Sequence, residues 1–421
     1  MGDAWGMPKR VAILGGGTGG TIVANRLRRR YGEDEIEIHV VDRDDRHVYR
    51  PGLLFVPFGQ ADPAKLTRPR HDQLRAGIAF HRTDVESVDH AAQRVALADG
   101  TSLGYDVLVV ATGLELQPGE TEGLTGPGWG ERAFTFYDLP GSVALRDALA
   151  RFRGGRLVVN VVDLPITCPV APLEFAFLAD SHLRARGLRA QTEIVLATPL
   201  DGAFTTRVAS ERLGGLLAAR GIDLVTEFNT GEVDGDRGRL VGYDGREVEF
   251  DLLVAVPLHG GGAYVERSPG LGDALGFVPT DPHTLQARVA PNVFALGDAT
   301  DLPISKAGSV THFQAEILVE NVARFLAGEK LEPAYDGHAN CFVETGDGRA
   351  LLIDFNYETE PLPGRFPTAA GPLSLLRESR ANHAGKRLFP WVYWHALLPG
   401  RPLPGLGPAM PLAGKDLAAA A

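Results

Sequence analysis

Lys9–Gly32 reads KRVAILGGGTGGTIVANRLRRRYG. Val11 to Leu14 are apolar and bounded by glycine, which suits a short buried strand. Gly15, Gly17 and Gly20 follow with the spacing G-x-G-x-x-G. From Thr21 to Arg30, apolar Ile22, Val23, Ala24 and Leu27 fall on one side of a helix. Glycines so placed let the backbone turn tightly and approach a pyrophosphate, whose charge rests on the helix N-terminus. The next run, EIEIHVVDRDD, is a second strand closed by Asp42. It lies about twenty residues past the glycines, where a carboxylate can accept hydrogen bonds from ribose hydroxyls. Strand, loop, helix, strand and terminal acid together predict a Rossmann-type unit for an adenine dinucleotide. This stretch alone does not separate FAD from NAD.

Two distant segments separate them. YDVLVVATGLELQP is an apolar strand ending in Ala111, Thr112 and Gly113, and APNVFALGDATDLP is another, ending in Gly297 and Asp298. In this order and spacing the pair resembles the flavin-dependent disulfide reductase superfamily. That resemblance implies FAD, with Asp298 on its ribitol and the 111–113 segment crossing near the cofactor.

An internal repeat lies between them, over about 154–260. Its strands are RLVVNVVD and TEIVLATP, joined through a helix, but the glycine fingerprint is missing. DLPITCPVAPLE, residues 163–174, has three prolines, and no glycine occurs between Gly155 and Gly187. Prolines remove N–H donors and stiffen the loop, so it cannot wrap a pyrophosphate. NAD(P)H is therefore not the expected electron donor. The loop instead carries Cys168 just ahead of a helix, whose dipole is expected to lower the thiol pKa. Glu174, among Phe175, Phe177 and Leu178, reads either as an acid or base of raised pKa or as a first-turn charge facing solvent.

The chain has 421 residues, 44% of them hydrophobic, enough for two or three packed domains. Its net charge of −11 and the lack of a basic block argue against a nucleic-acid partner. No apolar run is long enough to span a bilayer, and the N-terminus shows no export signal. A cytoplasmic chain is expected, with membrane-surface binding left open. Cys168 and Cys341 are its two cysteines. They form no C-x-x-C pair and no His/Cys cluster, so no metal site is expected. Cys341 lies in HANCFVETGDGRALLIDF, which reads as a hairpin turning at Gly346-Asp347-Gly348.

With these segments in hand, the chain resembles the sulfide:quinone oxidoreductases over nearly its full length. GGGTGG, YRPGLLFVPFG, TCPVAPLEFAF, ALGDATDLPISKAGSVTHFQAE and NCFVETG carry the resemblance. It implies that Cys168 and Cys341 are the redox pair, passing through a disulfide or sulfur-bridged state. Hydrosulfide would attack that bridge, one cysteine becoming a persulfide and the other engaging C4a of the flavin. It also implies that Phe342 contacts the quinone ring. A third cysteine found in many members is missing, so FAD is expected to be non-covalent. The helix beginning near Lys306 would point its N-terminus, with Lys306, at the flavin. His312 reads as a packed histidine more readily than as a proton relay.

The segment KRLFPWVYWHALLPG, from Lys386, concentrates Phe389, Trp391, Tyr393 and Trp394. It suits an interfacial membrane segment, with Lys386 and Arg387 near anionic phosphates. A tail packed on the protein's own core and a homo-oligomer surface are the other readings. The expected architecture is α/β: two Rossmann-like units, the second inserted in the first, plus an α+β C-terminal region that docks on a membrane. The divisions are 1–115 with 270–328, then 116–269, then 329–421. The expected activity is FAD-dependent oxidation of sulfide to polysulfide or sulfur, with reduction of a membrane quinone. The expected location is the cytoplasmic face of the membrane, bound peripherally. The rivals are a type II NADH:quinone oxidoreductase, the flavoprotein subunit of a flavocytochrome sulfide dehydrogenase, and a non-catalytic FAD-bound thiol sensor.

Overall fold

The computed structural model describes residues 7–403 and 405–420. Residues 1–6, which open the stretch expected to lack an export signal, lie outside the described residues.

Lys9–Leu14 is the central strand of a five-stranded, fully parallel sheet. Ile36–Asp42 and Ile78–Arg82 lie on one side of it, Val107–Val110 and Val293–Ala295 on the other. Val11–Leu14 and Val107–Val110 are buried throughout. Parallel sheets covered on both faces select such continuous apolar runs. The outermost strand, Val293–Ala295, arrives from nearly two hundred residues downstream of its neighbour. The second unit is inserted in this interval.

That second unit repeats the arrangement. Gly155–Val161 is central, flanked by Thr192–Ala197 and Ile222–Val225 on one side and by Leu252–Val256 and Ala133–Phe134 on the other. The internal repeat expected from the sequence is therefore present strand for strand. The two units differ at the turn after the central strand. Gly15–Gly17 suffice in the first, where the helix starts at Thr18. Residues 162–170 intervene in the second, before the helix Ala171–Ala185.

The C-terminal region is built on the expected hairpin, Ala339–Gly346 paired antiparallel with Arg349–Phe355. The helix Arg380–Val392 follows, capped by Ser379, whose hydroxyl accepts from Asn382 N at 3.0 Å. It runs into one π-helical turn, Tyr393–Leu397. Among the described residues, no helix is long and apolar enough to cross a membrane.

Candidate active site

Two helix starts meet at one cavity. The helix Thr18–Arg30 begins from Gly17, and the helix Gly308–Leu326 begins from Ala307, two residues later than the start expected at Lys306. Neither has a side-chain cap or an acid in its first turn. A helix start leaves backbone N–H groups without intrahelical partners and carries partial positive charge. The cavity beside them has a volume of about 270 Å³ and is lined by Gly17, Thr18, Ala111, Thr112, Gly113, Gly297, Asp298, Gly308 and Ser309. Among the described residues no cluster of His, Cys, Asp and Glu could hold a metal ion.

The three fingerprint glycines have distinct reasons. A Cβ on Gly15, at φ +93°, would meet Ala111 O at 2.5 Å, and one on Gly20 would meet Gly15 O at 1.8 Å. These two serve the turn and the helix–strand packing. Nothing lies within 4 Å of a Cβ on Gly17, so its bareness serves no internal contact. It leaves the space that a diphosphate approaching the helix start would need. Asp42 is engaged by the protein itself: Gly16 N donates to its Oδ2 at 2.8 Å, and Arg70 Nη1 lies 3.1 Å away. Burial raises its pKa, against the pull of Arg70.

Cys168 and Cys341 are both free thiols and both line this cavity. Cys168 sits at φ +56°, uncommon for a residue with a side chain. Its N–H donates to Lys306 O at 2.5 Å, and its carbonyl accepts from Ala171 N at 2.8 Å. Beside it, Thr167 Oγ1 donates to Asp298 Oδ2 at 2.7 Å. The second unit's loop is thus fastened across the cavity to the Gly297–Asp298 segment of the first. Cys341 comes from the C-terminal hairpin, with Ser309 Oγ 3.9 Å from its sulfur.

The thiols are held up in pKa, not down. Burial is the main cause for both, and the Glu174 charge adds to it. Cys341 is pushed to about 11, and Cys168 higher still. The depression expected from the helix dipole is outweighed by desolvation of the half-buried thiol, the helix starting only at Ala171.

Glu174 is 1% exposed and lines the cavity. It is not the solvent-facing charge of the alternative expectation. Burial raises its pKa. Lys386, expected beside lipid phosphates, turns inward instead. Its Nζ donates to Glu174 Oε1 and, at 3.2 Å, to Phe342 O. Burial lowers the proton affinity of Lys386, but the Glu174 carboxylate more than offsets this and holds it up. Phe342, Phe389 and Tyr393 also line the cavity.

One further expectation changes, that for Lys306, while His312 packs as expected. Lys306 does not line the cavity: its ammonium donates to Thr300 O at 2.6 Å and Asp298 O at 3.2 Å, and it lies over the Phe277 ring. Its backbone carbonyl, not its charge, faces Cys168. His312 is buried beside Phe313, with Nε2 3.5 Å from Glu316 Oε1, and does not line the cavity. Of the aromatic tail, Tyr393 and Trp394 are buried. The Tyr393 hydroxyl shares hydrogen bonds with Thr18 Oγ1 and His47 Nε2, each at 2.7 Å, and Arg68 lies over Trp394 at 4.3 Å. Of the tail's hydrophobic side chains, Leu388 and Trp391 stay exposed, at 58% and 61%.

The composition of the loops did not single out Lys386, Tyr137, Ser309 or Tyr393 as cavity residues. For Lys386 one signal existed: with His383 it lies three positions apart on a helical stretch, so both share a face.

Residues 9–157 match the pyridine nucleotide-disulphide oxidoreductase family. The chain is 26% identical over 403 residues to the mitochondrial sulfide:quinone oxidoreductase of Mus musculus, covering 93% of this chain and 86% of the relative. It is 28% identical to the Dictyostelium discoideum protein of the same description, with the same coverage. In three dimensions it superposes on the sulfide:quinone oxidoreductase of Aquifex aeolicus with a TM-score of 0.79, at 20% identity, over 94% of this chain and 93% of the other. By sequence over almost its whole length, and by fold, the chain is similar to proteins described as sulfide:quinone oxidoreductases.

Proposed function

We propose that the protein oxidises sulfide at Cys168 and Cys341 and passes two electrons through non-covalent FAD to a quinone. One observation carries this: the two cysteines, from segments far apart in the chain, line one cavity together with two uncapped helix starts. The similarity to sulfide:quinone oxidoreductases supports the choice of substrate and acceptor.

The fit to FAD rests on the space above Gly17, the two helix starts, and the 111–113 and 297–298 segments that border the cavity. Bound there, the flavin would supply a two-electron carrier between the thiols and the quinone. The strand grouping supports dividing the chain into 1–115 with 270–328, 116–269 and 329–421.

The chemistry of the cysteines balances as follows. Hydrosulfide attacks one sulfur of the bridge between Cys168 and Cys341. A new S–S bond forms, the bridging bond breaks, one cysteine leaves as thiolate and the other carries the persulfide. Over a full cycle, hydrosulfide, one proton and quinone give one sulfur atom at the zero oxidation level and hydroquinone. Repetition lengthens the sulfur chain until polysulfide or elemental sulfur leaves. Lys386 Nζ, donating to the Glu174 carboxylate, holds protons at the cavity that the thiols line, and Phe342 and Phe389 offer apolar faces to a quinone ring. Exposed Leu388 and Trp391 lie on the Arg380–Val392 helix that lines part of the cavity. Docking of that helix on a bilayer would let a quinone enter from the lipid.

The test is an anaerobic sulfide titration followed by flavin absorbance. Wild type is expected to bleach, and Cys168→Ser and Cys341→Ser are expected to retain flavin yet largely fail to reduce it. Bleaching of each single variant at the wild-type rate would refute the cysteine route.

A further inference from the structure

The Lys386–Glu174 pair is the inner end of a line of ionisable groups that reaches the surface. Glu344 lies on the Ala339–Gly346 strand, between the thiol segment and the hairpin turn. Its backbone N–H donates to Glu174 Oε1 at 2.6 Å. Its carboxylate is 1% exposed, and both of its oxygens lie at hydrogen-bond distance from His383 Nδ1, at 2.9 and 3.0 Å. The His383 side chain is 31% exposed. His383 and Lys386 stand three positions apart on the Arg380–Val392 helix, one reaching solvent and the other the cavity.

A buried carboxylate is costly unless its surroundings compensate. The charged groups around it come from three elements. Glu174 faces it from the Ala171–Ala185 helix, and His383 and Lys386 from the Arg380–Val392 helix. Beyond Thr345, whose carbonyl accepts from Arg220, lies the Arg220–Glu378 ion pair. The Glu344 charge raises the proton affinity of both Glu174 and Lys386.

We propose that His383 and Glu344 form the proton entry route to the cavity, refilling the Glu174–Lys386 pair during quinone reduction. The inference rests on the function proposed above. Quinone becomes hydroquinone by taking two electrons, which originate on sulfide, and two protons. A cavity mouth set against lipid, as the proposed docking would place it, supplies no protons, whereas the His383 side chain is open to water. One of the two protons arrives with hydrosulfide; the other enters from water at His383, passes to the Glu344 carboxylate and on to the inner pair, where Lys386 hands it to a quinone oxygen. His383 and Glu344 act through the inner pair and do not touch the reacting atoms.

The test separates the two half-reactions of the flavin-loaded protein in stopped flow. The first mixes oxidised protein with sulfide. The second mixes sulfide-reduced protein with a short-chain ubiquinone in weak buffer containing a pH-indicator dye. In His383→Ala, bleaching by sulfide is expected to stay within about twofold of wild type. Reoxidation by quinone is expected to slow by about tenfold or more, with proton uptake reported by the dye slowing in step. Added imidazole is expected to restore both in His383→Ala, and neither in Glu344→Gln. Wild-type reoxidation and proton uptake in both variants would overturn the route. A slow His383→Ala that imidazole does not restore would also overturn it, by showing a merely structural role. If wild type itself is not bleached by sulfide, the proposed function has failed, and that outcome is distinct from both.

Discussion

Lys386 Nζ donates to Glu174 Oε1 across 212 positions of sequence, tying the helix Ala171–Ala185 to the helix Arg380–Val392 beside the two thiols. Both partners are enclosed. Removing one partner of such a pair strands the other charge, at a cost of about 3–5 kcal/mol. Glu174→Gln and Lys386→Met are each expected to lower the urea midpoint by an amount of that order. The double variant should lose less than the sum, because no charge is then left unpaired. Additive losses would show that the pair does not couple the two helices.

Gly17 and Gly20 should part company on substitution. A Cβ on Gly20 would sit 1.8 Å from Gly15 O, whereas one on Gly17 meets nothing within 4 Å. Gly17→Ala is expected to fold with a melting temperature close to wild type when flavin-free, but to release flavin during gel filtration. Gly20→Ala is expected to lose stability in the flavin-free protein as well. Equal loss of flavin-free stability in both variants would place Gly17 in packing rather than in ligand approach.

The sequence is legible where local pattern decides the outcome. Val11–Leu14 and Val107–Val110 read as buried strands because parallel sheets select unbroken apolar runs. Gly346-Asp347-Gly348 reads as the hairpin turn that joins its two strands. The inserted repeat is visible because each unit restarts the same strand–loop–helix order. Long-range partners are the illegible part. Lys386 stands among aromatics, as an interfacial lysine would, and only the fold brings Glu174 to it. Tyr393 and Trp394 resemble membrane aromatics until His47, Tyr49 and Arg68, from the other end of the chain, are seen to enclose them. The thiol of Cys168 misleads differently. Its position ahead of a helix is local, but the desolvation that controls its pKa comes from the whole cavity.

That desolvation sets the pH dependence of thiol reactivity. Cys341 is raised to about 11 and Cys168 beyond it, so both are protonated thiols across neutral pH. The reactive form is the thiolate, and its fraction grows as pH rises toward the raised pKa. Alkylation of the reduced protein by iodoacetamide, followed by mass spectrometry, is expected to accelerate about tenfold per pH unit from 7 to 9.5 without a plateau. A plateau below pH 8 would mean that a thiolate is stabilised in the cavity, as the helix dipole alone would have it.

The second unit should fail to use a nicotinamide donor. In the first unit, three glycines separate strand from helix, and Gly17 leaves its helix start open. In the second, residues 162–170 include Pro165 and Pro169, and Pro172 removes an N–H from the helix's first turn. Three of the remaining donors are already engaged: Ala171 N by Cys168 O, Cys168 N by Lys306 O, and the Thr167 hydroxyl by Asp298. A pyrophosphate would have to displace these contacts from within the chain. NADH or NADPH at 1 mM is therefore expected to leave the flavin oxidised under anaerobic mixing, over times in which sulfide bleaches it. It is also expected to leave the melting temperature unchanged. A ligand bound with a Kd a hundredfold below its concentration would stabilise the fold by about 2.7 kcal/mol, a readily measured shift. Bleaching by NADH at a rate comparable to that with sulfide would reverse the assignment of the donor and return the protein to the NADH:quinone oxidoreductases.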